Sequence, residues 1–319
     1  NAGLNLFFSD IKHNILEQTK FRFTPSSDIM VDDQMRILAS GSKGNSFLLQ
    51  FDNHNFLVDL GISYRQLCQR LQECNLTPSQ INAVFITHEH IDHISGLSQF
   101  LKKNPVPIFL TRGTARSLPL SETADPIFYP LSHFNRIKLG ETIVTVLPTR
   151  HDAAEPCAFH FRHPLGSLLH LTDTGEVTDH LCRAVSESDI LVIESNHDEN
   201  MLINGPYPVS LKTRIASQLG HLSNRQTADL IAAHGTSRLR HVFLAHLSEQ
   251  NNTPSLAQDN IIDFYPETKA GFPFPPISLT PGRSAIWSLS ADRPENLNFL
   301  PLTRYKGHHF IEVHHGKTT

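Results

Sequence analysis

Cysteine and long apolar stretches are scarce in this sequence. The 319 residues include four cysteines, which show neither the paired spacing of a metal knuckle nor a dense disulfide framework. Their low number argues against a disulfide-stapled secreted domain and predicts reduced thiols in a cytoplasmic protein. No apolar run approaches the roughly 20 residues of a transmembrane helix, so we expect no membrane partner.

A large excess of charge of either sign is also absent. The formal net charge is −4, which argues against nucleic-acid binding through bulk charge but leaves a local basic cleft open. Candidates for lining such a cleft are Lys102, Lys103, Arg112, Arg116, Arg136, Lys138, Arg150, Lys212, Arg214 and Arg225. The opening stretch "NAGLNLFFSD" has no basic segment before an apolar core, so a secretory signal peptide is not expected.

Composition divides the chain into a central region and two flanking segments. The polar stretch "FTPSSDIMVDDQ" precedes a strand–loop–strand pattern that starts at Met35. We therefore predict an N-terminal appendage over residues 1–34 and one domain over 35–290. Residues 291–319 include "HHFIEVHH", whose histidine pairs do not match a closed metal site, and are predicted to be a tail.

Short apolar runs alternate with helical patterns through the central region. Runs such as "FLLQF", "NFLVDLG", "INAVFIT" and "DILVIES" are typical of strands, whereas "SYRQLCQRLQEC", "GLSQFLKK" and "RQTADLIAAHG" have helical periodicity. Strands with interspersed helices indicate an α/β fold. Because the early strands follow one another without helices, part of the sheet is predicted to be antiparallel.

Histidine is frequent, with 20 residues, and several histidines stand where a predicted strand ends. The ionisable residues at such ends are Asp59, His88, His151, Asp173 and His246. Strand ends that gather at one edge of a sheet can converge on a single site.

The segment "HEHIDH" concentrates potential metal-ligating side chains within six positions. After a strand, a tight turn can direct His88 and His90 toward one centre, and Asp92 and His93 toward a neighbouring one. Imidazole nitrogens with few carboxylates suit Zn²⁺ best, although Mn or Fe fits the same cage. Each centre needs a further ligand, for which the strand-end residues are candidates, and a carboxylate such as Asp173 can bridge two divalent ions.

These motifs resemble those of metallo-β-lactamase-fold hydrolases. The match runs through "HEHIDH", His151, Asp173 in "LTDTG" and His246 in "AHLS", and it covers residues 35–289. Within that superfamily, "ASGSKGNS", "ESNHD" and "HLSEQNN" resemble the YycJ/WalJ branch, and "GHLSN" followed by "HLS" is similar to ribonuclease Z. The resemblance implies a four-layer αββα sandwich with its site at one edge, and a phosphodiesterase that acts on DNA as an exonuclease, an activity found in that branch.

The predicted ligand set is His88, His90, Asp92, His93, His151, Asp173 and His246. Two bound cations would lower the pKa of a shared water, and the resulting hydroxide would attack the substrate. Asp92 and His221 are the predicted catalytic residues. His221 precedes Ser223, which with Gln226 forms a capping box at a helix start, a place that attracts anions.

Other residues are predicted to support the site. Asp59 is expected to hold a ligating imidazole, and Glu194 and His197 in "ESNHD" are expected nearby without an assigned role. The loop "ASGSKGNS" is either a glycine-permitted turn or a polar lip formed by Ser40, Ser42, Lys43 and Asn45. The remaining central histidines are predicted to be surface or hydrogen-bonded core residues: His160, His163, His170, His180, His234 and His241.

Three other functions stay open. The same ligands would serve a hydrolase of a small thioester, lactone or cyclic phosphodiester. A mononuclear oxidoreductase on this fold would leave Asp92, His93 and His246 without a role. A non-catalytic binding module should have lost ligands, and this sequence retains a full set. The sequence does not indicate an oligomeric state.

Overall fold

The computed structural model describes residues 34–51, 54–118, 128–263, 277–278 and 285–288. The predicted N-terminal appendage, apart from Gln34, and the predicted tail lie outside these residues. The described strands are β1 (Gln34–Ala39), β2 (Ser46–Phe51), β3 (His54–Val58), β4 (Ala83–Phe85), β5 (Ile108–Thr111), β6 (Phe128–Leu131), β7 (Arg136–Leu139), β8 (Thr142–Pro148), β9 (Cys157–His163), β10 (Gly166–Leu171), β11 (Ile190–Glu194), β12 (His241–Ala245), β13 (Ile277–Ser278) and β14 (Ala285–Ser288).

Helices connect and cover these strands. The described helices are α1 (Tyr64–Gln72), α2 (Ile91–Ile94), α3 (Leu97–Lys103), α4 (Arg112–Ser117), α5 (Asp179–Ser186), α6 (Glu199–Asn204), α7 (Val209–Ile215), α8 (Asn224–His234) and α9 (Pro254–Asp263). Within the described ranges, no helix combines the length and apolarity that spanning a membrane requires.

The described strands form two sheets with the same internal plan. Sheet one has the order β14-β1-β2-β3-β4-β5-β6, and sheet two has the order β13-β12-β11-β10-β9-β8-β7. In sheet one the neighbours from β14 to β3 are antiparallel and those from β3 to β6 are parallel. In sheet two the neighbours from β7 to β10 are antiparallel and those from β10 to β13 are parallel. The predicted mixed α/β character is confirmed.

The two sheets pack face to face around an apolar core. Alternate residues along each strand point inward, so that Phe47 and Phe85 of sheet one meet Phe159 and Phe243 of sheet two. Aromatic contacts join the layers, since the rings of Phe85 and Phe159 lie 5.2 Å apart in an edge-to-face arrangement.

Helices cover both outer faces. Leu67 and Leu71, four residues apart on one face of α1, pack with Phe100 of α3 against sheet one. Leu181 of α5 and Ile231 of α8 pack against the outer face of sheet two. The layers therefore follow the order helix, sheet, sheet, helix, and the predicted αββα sandwich is confirmed.

The strand ends that carry ionisable residues have an uncommon backbone. Asp59 directly follows β3 and His246 directly follows β12, with φ angles of 58° and 53°. Asp173, two residues after β10, has φ 57°. A left-handed conformation is unfavourable for residues with a side chain and often marks a functional site. Here it turns each side chain out of its strand at one edge of the sandwich.

One histidine departs from its expected environment. His170 is buried on the inner face of β10, with its ring 4.4 Å from that of Phe47. Among the described residues, neither ring nitrogen has a hydrogen-bond partner. The prediction that core histidines are hydrogen-bonded is wrong for His170, whose ring packs against Phe47 of sheet one instead.

Candidate metal centre

The turn after β4 is held by a buried carboxylate. Asp59 Oδ1 accepts a hydrogen bond from the backbone N–H of Thr87 at 2.8 Å, and Asp59 Oδ2 accepts one from the Thr87 hydroxyl at 2.8 Å. The turn after β3 lies close to the segment that carries Asp92. A Cβ at Gly61 in this turn would lie 1.6 Å from the Asp92 carbonyl oxygen. Only glycine therefore fits at residue 61, and this contact positions the segment that carries Asp92.

One set of ligand atoms comes from His88, His90 and His151, whose ring nitrogens lie within 4.8 Å of one another. His88 Nδ1 lies 3.0 Å from the Thr87 hydroxyl, and His151 Nδ1 lies 2.9 Å from the Gly220 carbonyl oxygen. These bonds orient Nε2 of both rings into the cluster, the arrangement found in metal-ligating histidines. His90 presents Nδ1, which lies 3.3 Å from His151 Nε2.

A second set comes from Asp92, His93 and His246. His93 donates from Nδ1 to Asp59 Oδ2 at 2.8 Å, which leaves Nε2 for the cluster. His246 Nε2 lies 3.3 Å from Asp92 Oδ2. Asp59, which is predicted to hold an imidazole, lies in contact with His93.

Asp173 lies between the two sets. Its Oδ2 is 3.3 Å from His93 Nε2, and its Oδ1 is 3.5 Å from His246 Nε2 and 3.7 Å from His151 Nε2. Two ligands on one tetrahedral Zn²⁺ with bonds of 2.0–2.1 Å are separated by about 3.4 Å, so these spacings match shared coordination. The buried atoms His88 Nε2 and Asp173 Oδ2 have no hydrogen-bond partner within the part of the chain that the structure describes. The donors present therefore fit divalent metal ions.

The electrostatics of the cluster favour cations. Burial alone would lower the pKa of His246, but Asp173 and Asp92 outweigh it and raise the pKa to about 9. Burial likewise opposes ionisation of Asp173, yet the surrounding histidines, His246 foremost, hold its pKa well below the usual range. Burial lowers the pKa of His88 and keeps that ring neutral, as a metal ligand must be.

The glycine-rich loop contacts the second set. Asn45 is buried, and its Nδ2 lies 3.2 Å from Asp92 Oδ2 and 3.1 Å from His93 Nε2. The Ser40 hydroxyl accepts a hydrogen bond from the backbone N–H of His246 at 2.9 Å. Ser42 is exposed on the turn. The loop is thus both a glycine-dependent turn and a polar lip, since Gly44 has φ 154° and little room for a Cβ.

His221 faces the cluster with a carboxylate behind it. Its Nδ1 lies 3.0 Å from Glu194 Oε2 and 3.6 Å from Asp173 Oδ1. Glu194 is fully buried, and its Oε1 accepts a hydrogen bond from the backbone N–H of Thr174 at 2.6 Å. Glu194 is therefore positioned to orient His221, a role that the sequence did not assign.

His197 lies beside the cluster rather than within it. Its ring is buried, and its Nδ1 lies 3.4 Å from Asn196 Oδ1. Burial, followed by the proximity of His221, lowers its pKa to about 4. His197 is absent from the sets of potential ligands among the described residues. Its backbone carbonyl accepts from the N–H of Asn224 and supports the start of α8.

Several residues that hold the cluster were missed in the sequence. Thr87 could have been suggested by its place between β4 and the histidines. Asn196 donates from Nδ2 to the His246 carbonyl oxygen at 3.0 Å. The Gly220 carbonyl that orients His151 has no side-chain signal, because a backbone group serves in any residue type.

The layered fold and the histidine–aspartate cluster together define a metal-dependent hydrolase of the metallo-β-lactamase fold. The family model described as a β-lactamase superfamily domain matches residues 54–246. The chain belongs to this superfamily, in the branch of WalJ and YycJ.

Named relatives place it in that branch. The chain is 34% identical over 231 residues to exodeoxyribonuclease WalJ from Streptococcus pneumoniae, which covers 71% of this chain and 86% of WalJ. It is 33% identical over 227 residues to exodeoxyribonuclease YycJ from Bacillus anthracis, which covers 70% and 86%. The crystal structure of the metallo-β-lactamase-fold protein YhfI from Bacillus subtilis superposes with a TM-score of 0.56 at 18% identity, over 80% of this chain and 99% of YhfI.

Proposed function

We propose that this protein is a dinuclear metal-dependent phosphodiesterase that acts on nucleic acid, and specifically a DNA exonuclease. The observation that carries the proposal is the pair of His221 and Glu194, whose ligand atoms lie within 4.8 Å of those of Asp173 and His246 and adjoin the His88–His90–His151 and Asp92–His93–His246 sets. The exodeoxyribonucleases WalJ and YycJ, each aligned over 86% of its length, support DNA as the substrate.

The chain offers donors for two divalent ions. His88, His90 and His151 would hold one, Asp92, His93 and His246 the other, and Asp173 would reach both. Zn²⁺ suits this nitrogen-rich set best, and Mn or Fe would fit the same donors. Bound ions would supply Lewis acidity toward the phosphate and lower the pKa of a water molecule.

His221 would act on the substrate from Nε2. Its Nδ1 faces Glu194 Oε2, and an acceptor at this position keeps the proton on Nδ1 when the ring is neutral. When protonated, Nε2 can donate to a non-bridging oxygen or to the leaving oxygen. Asp92 would hold both an ion and His246 at the second set, with Asn45 as a neighbour.

The test of the exonuclease proposal uses DNA with and without ends. Metal-loaded protein should release nucleotides from end-labelled linear single- and double-stranded DNA and leave a covalently closed circle of the same sequence intact. Labels at the 5′ and 3′ ends in separate reactions would give the polarity. Cleavage of the circle would make the protein an endonuclease, and activity on RNA alone would replace the DNA assignment.

His221→Ala tests the role of the histidine. We expect both ions to be retained and kcat on DNA and on bis(p-nitrophenyl) phosphate to fall roughly a hundredfold or more, because one positioned donor is lost. Metal content is measured in the same preparation. Loss of one ion would make His221 a ligand, and unchanged cleavage with both ions present would remove His221 from the catalytic residues.

Glu194→Gln refines this test. The glutamine retains an oxygen acceptor for the Nδ1 proton but loses the negative charge that faces His221. We expect a fall in kcat on DNA smaller than that of His221→Ala, with KM and metal content unchanged. An unchanged kcat would leave Glu194 with a purely structural role.

A further inference from the structure

Two ion pairs lie beside the metal-ligand cluster, one near each ligand set. The first joins Lys43 Nζ to Glu249 Oε2 at 2.6 Å, with the Lys43 side chain 81% exposed. Lys43 belongs to the loop whose Asn45 contacts Asp92, and Glu249 is three residues beyond His246. This pair therefore joins the loop that contacts Asp92 to the segment that carries His246.

The second ion pair is attached to the other set. Arg214 of α7 contacts Asp152 Oδ2 through Nε, and its side chain is 55% exposed. Asp152 Oδ1 lies 3.4 Å from His151 Nε2 and 3.9 Å from His90 Nε2. The guanidinium is consequently one carboxylate away from the His88–His90–His151 set. The helix α7 that carries Arg214 has no buried residue and adds little to the core.

These two ion pairs are expected to contribute little to the stability of the fold. An ion pair whose cation is largely exposed contributes little to stability, so the cation can exchange its carboxylate for another anion at small cost. A phosphate oxygen accepts charge-assisted hydrogen bonds from either cation, and the guanidinium can bind it through two N–H groups. The neighbouring side chains at the cluster include the carboxylates of Asp92, Asp152 and Asp173, so a polyanion requires cations on each side.

We propose that Lys43 and Arg214 form two phosphate subsites that flank the scissile phosphodiester, one at each end of the cluster, with Glu249 and Asp152 as exchangeable carboxylate partners. This inference rests on the proposed function and extends it. A nucleic-acid strand with consecutive phosphates engages both cations, whereas a cyclic phosphodiester with one phosphate engages at most one. The site is thereby selective for a polynucleotide over a small diester.

The test compares Lys43→Gln, Arg214→Gln and the double variant with the wild type. On a single-stranded oligonucleotide we expect each single change to raise KM roughly tenfold, the size of one lost charge-assisted contact. The increase on bis(p-nitrophenyl) phosphate should be smaller. Oligonucleotide affinity is measured by fluorescence anisotropy with the metal-loaded protein at several salt concentrations. The slope of log binding constant against log salt concentration should become shallower by about 0.7 for each cation removed.

Two further variants fix the interpretation. Arg162→Gln is the matched control, since Arg162 at the far end of β9 pairs with Glu187 and should leave KM and salt slope unchanged. Glu249→Gln releases Lys43 from its competitor and should lower KM on the oligonucleotide, an effect opposite in sign to Lys43→Gln. Metal content is measured for every variant to exclude loss of an ion as the cause.

The outcomes separate this inference from the proposed function. A wild type that does not cleave DNA would overturn the proposed function, and oligonucleotide binding would still test the subsites. A wild type that cleaves DNA while both glutamine variants keep its KM and salt slope would overturn the subsites alone. Equal losses on the oligonucleotide and the small diester would also overturn them, since the cations would then serve the scissile phosphate itself.

Discussion

At the scale of single residues, His170 shows the cost of a polar group in the inter-sheet core. Burial lowers its pKa to about 4, below the value of about 6.5 for an unfolded histidine. Between these values the unfolded chain binds more protons than the folded one. Stability therefore falls as the pH drops from about 6.5 toward 4, and it is unaffected by this group above that range.

Replacement of this histidine by an apolar residue should remove the effect. Lowering the pH from 7.5 to 5 should destabilise the wild type through this group but not His170→Leu. The free energy of unfolding of the variant minus that of the wild type should therefore be about 2 kcal/mol larger at pH 5 than at pH 7.5. Urea unfolding at the two pH values measures it, with chelated protein in both cases so that metal affinity does not contribute. A difference between variant and wild type that is the same at both pH values would contradict the assigned cause.

The residues that sequence alone could identify share one property, a side chain with distinctive chemistry at a strand end. His88, Asp173 and His246 are of this kind, and the structure brings all three together. Arg214 could be identified only as one of many basic residues. Its neighbour Asp152 is brought to it across 62 positions by tertiary packing, which no local pattern encodes.

At the scale of elements, the start of α8 connects stability with chemistry. The Ser223 hydroxyl accepts a hydrogen bond from the Gln226 N–H, and Gln226 Oε1 accepts one from the Ser223 N–H. The predicted capping box is confirmed. His221 stands two residues earlier, and its N–H donates to the Ile215 carbonyl, so the cap and the end of α7 together hold its backbone.

Ser223→Ala should therefore lower stability and activity together. We expect a loss of about 1 kcal/mol in the free energy of unfolding, the usual cost of an N-cap, and a severalfold fall in kcat. Ser63→Ala is the control, because Ser63 and Gln66 form the same capping box on α1, which carries no predicted site residue. If both variants lose the same activity, general destabilisation rather than the position of His221 explains the effect.

The strands that sequence patterns missed are β6 and β7, which occupy the edges of the two sheets. An edge strand is paired on one side only and is less buried, so its apolar alternation is weaker. Phe128–Leu131 includes Pro130, which is compatible with an edge position and argues against a central strand. Arg136–Leu139 alternates basic and apolar residues over four positions, too few for a clear pattern.

At the scale of the whole molecule, the proposed ions connect the two sheets. His88, His90, Asp92 and His93 follow β4 of sheet one, whereas His151, Asp173 and His246 follow strands of sheet two. A ligand that binds the folded state alone stabilises it by about 4 kcal/mol at a thousand times its dissociation constant. Ion binding should thus contribute to the cohesion of the sandwich as well as to the reaction.

Chelation should lower the unfolding temperature by about 10 °C, given that 1 kcal/mol corresponds to a few degrees in a domain of this size. Differential scanning fluorimetry with zinc and with a chelator measures the difference. Asp173→Ala is the matched variant, since it removes the carboxylate that reaches both ligand sets, and it should respond less to chelation. A wild type indifferent to chelation would contradict a structural contribution of the ions.

The pairing of β1 with β14 has a consequence for the protein during its synthesis. Residues 34–37 pair with residues 285–288. Sheet one therefore lacks its outer strand β14 until nearly all of the described chain has left the ribosome. The last of the proposed ligands, His246, emerges more than 150 positions after His88. A chain synthesised only as far as β11 therefore lacks one of the proposed ligands, and the proposed activity is expected only after β12 and His246 have been added.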